Sequence, residues 1–579
     1  MEKKVVSIGS QNFAKIRENE YFYVDKTQFI REWWENGDEV TLLARPRRFG
    51  KTLGMSTLEC FFSKQYAGRD DLFEGLSVYG WEKYRQLQGQ FPVVSVSFAD
   101  VKGADFEDAR RKIARVLMDV YQQHSYLLEG DVLTDDERWH FRTLGQAIPK
   151  GGFAPSLIST DTISWALKQL SSYLYRYYGT KPLIFLDEYD TPMQEAWLNH
   201  YWEEIVALFQ SMFNSTFKTN PYLGRAMLTG ITRVSKESIF SDLNNLAVVT
   251  LTSDKYAGCF GFTEEEVFAA MDAQGMPEED KPRVKEWYDG YRFGSLTDIY
   301  NPWSITSYLD TGKLAAHWVN TSGNGLVSRL VRTGKRELQE SFEGLLHGET
   351  VKAGIDENTV FQNLEGNTKA VWSLLLATGY LKVVSWEVDW DTDTATNIEY
   401  ELALTNREVR QMFAGMFRQW FSASRGVVGY FVQAMLSGDV RGMNRYMNQV
   451  ALNSFSVFDS GNKPSETAPE RFYHGFVLGL MVERARDYII RSNRESGYGR
   501  YDVLMEPKDK SGAGVILEFK VIDREYGDET GLSDTADNAL RQIEERQYET
   551  ELLQAGVAKE KIYKYGLAFE GKKCLVKKG

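Results

Sequence analysis

The sequence predicts an α/β protein of about three domains, in which a parallel-sheet domain is followed by a mainly helical middle domain and a smaller α/β domain. Three stretches carry this prediction. An apolar run at 40–44 leads into a turn that ends Gly-Lys-Thr, a second at 183–186 ends in an acidic pair, and a third at 515–522 contains one glutamate and one lysine. With 579 residues and 43% hydrophobic content, the chain can form several cores. We place the domains at 1–260, 261–460 and 461–579.

The composition argues against several classes of protein. The formal net charge is -13, so nucleic acid has to bind at a local basic patch, because the mean field repels a polyanion. The three cysteines lie far apart and form no Cys-x-x-Cys pair, which argues against a disulfide framework or a zinc site. We find no apolar core of signal-peptide length near the N-terminus and no apolar run long enough to span a bilayer. We therefore expect a cytoplasmic protein with no membrane partner.

Residues 45–52, Arg-Pro-Arg-Arg-Phe-Gly-Lys-Thr, connect the first apolar run to a helix candidate. A strand, a turn ending Gly-Lys-Thr and a helix form the layout of a phosphate-binding loop, in which backbone N–H groups hold phosphates, Lys51 contacts the outer ones and Thr52 holds Mg²⁺. The usual pattern opens with glycine, whereas this loop opens with Arg45, whose side chain restricts the φ/ψ angles that the backbone can adopt. The alternative is an ordinary basic turn before a helix. The residues expected to contact a nucleotide are Arg47, Arg48, Phe49, Gly50, Lys51, Thr52 and Leu53.

Strand and helix candidates alternate on both sides of this loop, as a parallel sheet requires. A helix candidate at 28–35 precedes it. That segment either walls the base side of a nucleotide or is a packing arm capped by Asp25. A strand candidate at 91–98 and helix candidates at 106–121 and 162–178 follow the loop.

The acidic pair Asp187-Glu188 falls at the carboxyl end of the apolar run 183–186. Four consecutive apolar residues predict a strand buried on both faces, and parallel sheets bind their ligands at the carboxyl ends of strands. We assign Asp187 to Mg²⁺ and Glu188 to orienting or deprotonating the attacking water, which makes Glu188 the catalytic residue of this site. The alternative is an acidic turn that only aids solubility.

A strand candidate at 225–233 adds two polar residues beside the same edge. Thr229 is the candidate for sensing the γ-phosphate, and Arg233 is the candidate for stabilising its charge. An ordinary Thr-Gly turn followed by a surface arginine explains the same two residues.

Several motifs in combination resemble those of the bacterial AAA-ATPase-like family that carries a C-terminal PD-(D/E)XK nuclease-like domain. They are Tyr-Val-Asp-Lys-Thr at 23–27, the loop at 45–52, Leu-Asp-Glu-Tyr-Asp at 186–190, Thr-Gly-Ile-Thr-Arg at 229–233, Trp-Tyr-Asp-Gly-Tyr-Arg-Phe-Gly at 287–294 and Ile-Tyr-Asn-Pro at 299–302. The resemblance covers nearly the whole chain. It implies a P-loop NTPase (AAA-like) domain with ATP and Mg²⁺ as cofactors. Members of the family open the loop with arginine, so Arg45 is a feature of the resemblance.

Helical spacing dominates residues 261–446, with short strand candidates at 380–384 and 400–404. This pattern predicts a helical lid followed by a winged-helix-like middle domain. The aromatic motif at 287–302 either contacts the nucleotide or packs at the joint between domains. We favour packing between the domains, because aromatic clusters at domain interfaces usually stabilise the contact between the domains.

The last domain is predicted to begin after the turn-rich stretch 460–464. Residues 467–470 fit a capping box, from which a helix is predicted through Ile490. Glu470 and His474 share one face of that helix and are candidates for a nuclease site. Helix capping explains Glu470 equally well, and packing explains His474.

A pair of carboxylates is predicted further along the chain. Asp502 lies on one strand candidate, a turn is predicted at 506–514, and the returning strand at 515–522 carries Glu518 and Lys520 on one face, because strand side chains alternate. Charge within an apolar strand is costly unless it is paired or binds a metal. The two carboxylates can hold Mg²⁺ or Mn²⁺, and the lysine can position the attacking water or neutralise charge on the scissile phosphate. The alternative is a Glu–Lys pair on a solvated face.

Asp502 together with Glu518-Phe519-Lys520 resembles the motif of PD-(D/E)XK phosphodiesterases, with Tyr501 in place of proline. The helix predicted at 533–552 carries Gln542 and Tyr548, similar to a motif in which glutamine and tyrosine line such a site. Since the spacing differs from the familiar one, only Gln542 is carried over. With a strand at 562–569, these elements predict an αβββαβ core.

The predicted sites indicate an ATP-binding and ATP-hydrolysing protein coupled to a Mg²⁺-dependent nuclease. Nucleic acid is the expected partner, with DNA favoured over RNA, and a homo-oligomer is left open. The main rival is a nucleotide-dependent switch or scaffold whose last domain binds nucleic acid or a protein without cutting. A third reading is a nuclease whose ATPase-like domain holds nucleotide only structurally.

Overall fold

The computed structural model describes most of the chain. The described residues are 3–145, 158–232, 239–240, 243–318, 327, 330, 336–356, 364, 367–389, 397–421, 428–454, 477, 481, 484, 486–492, 495–496, 499–500, 502–522, 529–570 and 573–579. They form two compact units, which comprise residues 1–410 and 411–579. The first unit contains a parallel α/β part and a mainly helical part, and the second contains a mixed α/β part, so the predicted fold class is confirmed. The domain boundaries near 260 and 460 stay predictions.

The first unit is built on a five-stranded sheet with the strand order β2-β3-β4-β1-β5. Its strands are β1 (Val40–Ala44), β2 (Val93–Ser97), β3 (Leu183–Asp187), β4 (Arg225–Gly230) and β5 (Leu246–Val249). All pairings are parallel. β1 and β3 are buried along their whole length, as central strands covered on both faces must be. The carboxyl ends of β1, β3 and β4 therefore lie side by side at one edge of the sheet.

Helices cover this sheet and bury aromatic side chains against it. They are α1 (Phe13–Glu18), α2 (Gln28–Asn36), α3 (Lys51–Phe62), α4 (Glu82–Arg85), α5 (Phe106–Gln123), α6 (Asp135–Gly145), α7 (Thr160–Tyr178), α8 (Thr191–Leu198) and α9 (Trp202–Phe213). Trp33 of α2 packs edge-on against Phe62 of α3 and Phe185 of β3, with ring centroids 5.6 and 5.7 Å apart. This aromatic core fixes α3, and with it the loop that precedes α3, against the sheet.

The remainder of the first unit is mainly helical and contains two small antiparallel sheets. Its helices are α10 (Glu264–Ala273), α11 (Lys281–Tyr288), α12 (Pro302–Thr311), α13 (Arg336–His347) and α14 (Thr368–Ala377), and α15 (Arg407–Phe421) contains the boundary between the units. One sheet has the order β6-β8-β7, with β6 (Phe262–Thr263), β7 (Tyr291–Phe293) and β8 (Leu296–Tyr300). The other has the order β10-β11-β9, with β9 (Val351–Gly354), β10 (Leu381–Asp389) and β11 (Asn397–Leu404).

The second unit is built on a mixed five-stranded sheet with the order β12-β15-β16-β17-β18. The strands of this unit are β12 (Tyr488–Ser492), β13 (Glu495–Ser496), β14 (Gly499–Arg500), β15 (Val503–Pro507), β16 (Gly514–Val521), β17 (Ile562–Glu570) and β18 (Lys573–Lys578), and its further helices are α16 (Val428–Ser437), α17 (Val440–Ser454), α18 (Leu532–Glu545) and α19 (Thr550–Gln554). On one face of this sheet, Phe519 and other apolar side chains pack against α16 and α17. Leu504 and Ile516 on the opposite face pack with Ile543 of α18 and Leu552 of α19.

The free edge of β18 is covered by two asparagine side chains of α17. The amide of Asn444 accepts from Val576 N at 2.8 Å and donates to Val576 O at 2.8 Å. The amide of Asn448 does the same with Cys574, at 3.1 and 2.7 Å. Because an exposed sheet edge is a template for pairing with another chain, these amides satisfy backbone groups that a further strand would otherwise take.

Three sequence predictions in this unit need correction. The helix predicted through Ile490 is wrong at its end, because Tyr488–Ser492 form β12, in which Tyr488 and Ile490 pack on the core while Ile489 is 38% exposed. The turn predicted at 506–514 is too long, because β15 continues to Pro507 and Glu506 is buried in ion pairs. The single helix predicted at 533–552 is interrupted between Glu545 and Thr550. The first difference arises because the side chains of the short stretch 488–492 alternate with the strand period of two. The second arises because Glu506 is paired with cations and can therefore be buried within β15.

Among the described residues, no helix combines the length and the apolar composition needed to cross a membrane.

Candidate functional site

The loop at 45–52 contains two residues with positive φ directly before α3. Gly50 is the residue before Lys51, the first of α3, and has φ 83°, a left-handed conformation that favours glycine. Arg48 also has a positive φ of 66°. Arg45 is absent from the residues with positive φ, so its backbone does not require the glycine that usually opens such loops.

Lys51 is buried and is held by the loop itself. Its Nζ donates to the carbonyl oxygens of Arg45 at 2.9 Å and Pro46 at 2.8 Å. Burial lowers the pKa of Lys51, while the nearby carboxylates of Glu188, Asp187 and Asp190 act in the opposite direction. The ammonium is therefore fixed inside the loop rather than extended into solvent.

Asp187 lies at the end of β3 and accepts hydrogen bonds from two hydroxyl groups. Thr52 Oγ1 donates to Asp187 Oδ2 at 2.6 Å, and Thr229 Oγ1 of β4 donates to Asp187 Oδ1. Burial raises the pKa of Asp187, and the two hydroxyls oppose that shift. The structure thus joins the three residues predicted from separate stretches of the chain. A hydroxyl and a carboxylate are oxygen donors of the kind that Mg²⁺ prefers, so this pair fits that metal.

Glu188 follows Asp187 with φ 52°, so the chain turns sharply after β3. Its Oε2 accepts from Thr191 Oγ1 at 3.1 Å. The side chain lines the same cavity as Lys51 and Thr52. This position is compatible with the water-orienting role predicted for it, and the role itself stays a prediction.

A cavity of about 730 Å³ opens beside the loop. It is large enough for a nucleotide, since ligand pockets span roughly 300–1,000 Å³. Its walls include the seven loop residues predicted to contact a nucleotide and residues of α8, α12 and α14. Residues of the 7–29 segment that line it include Tyr23, Val24, Lys26 and Phe29. Asp25 accepts from Thr27 N at 2.9 Å and Ser77 N at 2.7 Å, which fits the packing arm, while the contact with the base of a nucleotide stays a prediction.

The aromatic motif at 287–302 packs against the loop and also reaches the cavity. Tyr291 and Phe293 pack on Phe49 with ring centroids 4.7 and 5.4 Å apart, so the Phe49 side chain lies in the core. Asn301 Nδ2 donates to Arg47 O at 3.3 Å and its Oδ1 caps α12. The motif therefore packs against the loop, and its end reaches the cavity through Pro302.

Arg45 points away from the cavity. Its guanidinium is fully buried, donates to Thr250 O at 2.5 Å and Ala44 O at 3.1 Å, and lies 4.5 Å from the centre of the Phe293 ring. Burial lowers the pKa of Arg45 to about 9, so the group remains charged at neutral pH. Arg45 therefore joins the start of the loop to the segment after β5, and its place at the head of the loop is structural.

We expect Arg45→Lys to lower the free energy of unfolding by about 2 kcal/mol or more, because one ammonium cannot reproduce a planar group that contacts several carbonyls and a ring. Urea unfolding followed by tryptophan fluorescence measures the effect. Arg111→Lys is the matched control, because Arg111 makes a surface ion pair on α5 that contributes little. Equal unfolding midpoints for the two variants would contradict the structural role of Arg45.

Two residues of this site could not be found from sequence. Gln194 of α8 lines the cavity and accepts from Arg47 Nη2 at 3.1 Å. Trp303 also lines it and stacks under the Arg48 guanidinium, 4.3 Å from the ring centre. Neither belongs to a recognisable motif, and both meet the loop arginines only through the fold.

The second site lies on the sheet of the second unit. β15 and β16 pair with Val503 opposite Leu517, and continuing this antiparallel register places Asp502 opposite Glu518. Asp502 Oδ2 accepts from Phe519 N at 2.8 Å. Glu518 is 3% exposed. The predicted carboxylate pair is therefore brought together at one end of two neighbouring strands.

Gln542 of α18 completes this cluster together with a tyrosine. Gln542 Nε2 donates to Glu518 Oε1 and also lies 3.1 Å from Tyr548 Oη. Burial raises the pKa of Tyr548, and the charges of Glu518 and Asp502 raise it further. Gln542 thus contacts Glu518 directly, and Tyr548, which sequence reasoning set aside, contacts Gln542.

Lys520 shares a face of β16 with Glu518, since it is two residues further along the strand, whereas Phe519 is buried on the opposite face. It is partly exposed. A solvated Glu–Lys face is incompatible with the burial of Glu518. The pair of carboxylates fits a divalent cation by donor type. Within the described ranges, no group of three or more His, Cys, Asp and Glu side chains is arranged for a metal.

Three predicted site residues, Arg233, Glu470 and His474, lie outside the described residues.

Comparison with known proteins supports both halves of the architecture. Residues 7–240 match a family model described as a predicted AAA-ATPase, and residues 468–579 match one described as the PD-(D/E)XK nuclease superfamily. A relative from Azotobacter chroococcum mcd 1, called "Uncharacterized protein in vnfD 5'region", is 24% identical over 557 residues, which cover 95% of this chain and 93% of the relative. The predicted combination of domains is thereby confirmed.

Proposed function

The chain carries an AAA-ATPase-like domain and a PD-(D/E)XK nuclease-type domain, and from this premise we propose that it binds and hydrolyses ATP and is a Mg²⁺-dependent nuclease acting on DNA. The observation that carries the first half is that Lys51, Thr52 and Glu188 line one cavity and that Thr52 donates a hydrogen bond to Asp187 beside it. The second half is carried by Asp502 and Glu518 on adjacent strands with Gln542 beside them.

At the nucleotide site, the N–H groups at the start of α3 and the Lys51 ammonium bind the phosphates. Thr52 and Asp187 would hold Mg²⁺, which supplies charge neutralisation to the phosphoryl group when bound. Glu188 accepts a proton from the attacking water or orients it. Arg47 and Arg48 add positive charge at the cavity wall.

At the nuclease-type site, Asp502 and Glu518 would hold Mg²⁺ or Mn²⁺, which supplies a Lewis acid at the scissile phosphate when bound. Gln542 orients the Glu518 carboxylate through its amide. Lys520 neutralises charge that develops on the phosphate or positions the water. We further propose that nucleotide occupancy regulates cleavage and that the protein works in the cytoplasm.

A second candidate is a nucleotide-dependent switch whose last domain binds nucleic acid or a protein without cutting. The observation in its favour is that the cluster at Asp502 contains two carboxylates among the described residues, with no described third ligand. Cleavage assays with the two metals distinguish the candidates.

Glu188→Gln tests hydrolysis separately from binding. We expect phosphate release to fall by about 10²-fold or more, because a positioned general base contributes roughly 10²–10⁴, while ATP binding is retained. Steady-state phosphate release and fluorescent-nucleotide titration measure the two quantities. Glu204→Gln, an exposed change on α9, is the control. Unchanged phosphate release by Glu188→Gln would remove the assigned role.

A further inference from the structure

We propose that Gln194 is a positioning residue of the nucleotide site, which holds Arg47 ready for the phosphate chain and links it through Asp190 to the turn after β4. The inference rests on the proposed nucleotide binding and assigns a function to a residue outside every motif discussed above. It makes the loop arginine and the end of β4 parts of one connected polar network.

The connection is visible as two contacts of one amide. Arg47 Nη2 donates to Gln194 Oε1 at 3.1 Å, and Gln194 Nε2 lies 3.5 Å from Asp190 Oδ2, at the long end of the hydrogen-bond range. Asp190 is the residue before α8, and Gln194 is one turn into that helix. Arg47 and Gln194 both line the cavity.

The chemistry of an amide suits this position. A guanidinium only donates hydrogen bonds and an ionised carboxylate only accepts them, whereas an amide accepts through oxygen and donates through nitrogen. Gln194 is therefore a neutral spacer between Arg47 and Asp190. A carboxylate at 194 would bind Arg47 in a charge-assisted pair and would occupy the guanidinium that an incoming phosphate needs.

The other end of the network fixes the turn after β4. Asp190 is 1% exposed, and its Oδ2 accepts from Ile231 N at 2.9 Å, from Thr232 N at 3.0 Å and from Thr232 Oγ1 at 3.0 Å. Tyr189 Oη donates to Thr232 O at 2.6 Å. Burial raises the pKa of Asp190, and the two backbone N–H groups oppose that shift.

The space around this turn is also filled. A Cβ added to Gly230 would lie 2.6 Å from Tyr189 Cε1 and 2.8 Å from Asp190 Oδ1. Thr229, which donates to Asp187, immediately precedes Gly230. A phosphate that draws Arg47 away from Gln194 therefore releases an amide that also contacts Asp190, the residue whose carboxylate holds this turn.

The test is Gln194→Glu, measured by titration of a fluorescent ATP analogue. We expect binding at least about tenfold weaker than in the parent, because the new carboxylate competes with phosphate for Arg47. Gln86→Glu is the matched control, since it makes the same isosteric change at an exposed position outside the cavity, and it should bind as the parent does.

A double-mutant cycle shows whether the effect passes through Arg47. In an Arg47→Ala background, Gln194→Glu should weaken binding much less than it does in the parent, because the group it captures is gone. Gln194→Ala should keep ATP affinity within about threefold and lower kcat, since it removes the link without capturing Arg47. This variant carries the test by itself if Gln194→Glu fails to fold.

The outcomes separate the inference from its premise. If the parent protein binds no nucleotide, the proposed function fails and the inference fails with it. If the parent binds ATP and folded Gln194→Glu binds equally tightly, or if the Arg47→Ala background leaves its effect intact, only the role of Gln194 is wrong. An unchanged kcat in Gln194→Ala would likewise overturn it.

Discussion

Asp502→Ala is expected to abolish metal-dependent DNA cleavage, with a loss of at least about a thousandfold. A metal at this position contributes several kcal/mol of transition-state stabilisation, and roughly 1.4 kcal/mol corresponds to tenfold in rate. Asp502 lies opposite the buried Glu518, whereas Glu506, the carboxylate of β15, is held in ion pairs with Arg491 and Lys510 and cannot replace it. The measurement is the initial rate of cleavage of labelled DNA with Mg²⁺ or Mn²⁺.

Asp502 also accepts a hydrogen bond from Phe519 N, so loss of activity has to be distinguished from loss of structure. Asp502→Asn keeps an acceptor for that N–H while removing the charge that holds a metal. It should be as inactive as Asp502→Ala and as stable as the parent. Asp509→Ala, at an exposed turn of the same unit, is the control for the chemical change. Full cleavage by either Asp502 variant would mean that the nuclease assignment is wrong.

Lys51→Ala is expected to weaken ATP binding by at least about tenfold. A hydrogen bond to a charged group contributes roughly 1.5–3 kcal/mol, and the outer phosphates lose their only lysine of the loop. Because Lys51 is buried against Arg45 O and Pro46 O, Lys51→Met is a second variant that preserves buried volume. Nucleotide titration and phosphate release measure the loss.

The matched control for Lys51 is Lys181→Ala, an exposed lysine that precedes β3. It should bind and hydrolyse ATP as the parent does. Cleavage by Lys51→Ala in the absence of ATP should persist, because Asp502 and Glu518 belong to a separate compact unit. ATP affinity within a few-fold of the parent in both Lys51 variants would exclude this loop as the phosphate site.

The strongest elements could be predicted from sequence because local pattern determines them. β1 spans the predicted residues Val40–Ala44, since an apolar run ending in a turn has few alternatives in a parallel sheet. The meeting of Thr52, Asp187 and Thr229 followed from the rule that parallel strands present their carboxyl ends at one edge. In the second unit, the side-chain period of two was enough to place Glu518 and Lys520 on one face.

Contacts that depend on three-dimensional packing could not be predicted in this way. The direction of the Arg45 side chain is set by carbonyls near residues 250–255, which are remote in sequence. Gln194 meets Arg47 across 147 positions of the chain. Neither contact leaves a periodic signal, because each is a single polar pair formed when separate elements dock.

Tyr548 shows how an irregular backbone changes the spacing of a motif. On a continuous helix, residues 542 and 548 would point to different faces, because neighbours on a face are three or four apart. The helix instead ends at Glu545, and Gln547 has φ 53°, so the chain turns and returns Tyr548 to Gln542. The unfamiliar spacing is therefore accommodated by a helix break rather than by a different site.

The most direct measurement follows cleavage of labelled single- and double-stranded DNA by the parent, Lys51→Ala and Asp502→Ala proteins, each with Mg²⁺ and with or without ATP. If the protein is a nucleotide-regulated nuclease, the parent cleaves DNA in the presence of metal at a rate that ATP changes. Lys51→Ala then cleaves at a rate that ATP no longer changes, and Asp502→Ala does not cleave. Equal cleavage by the parent and Asp502→Ala, or an ATP effect that survives in Lys51→Ala, would contradict that function.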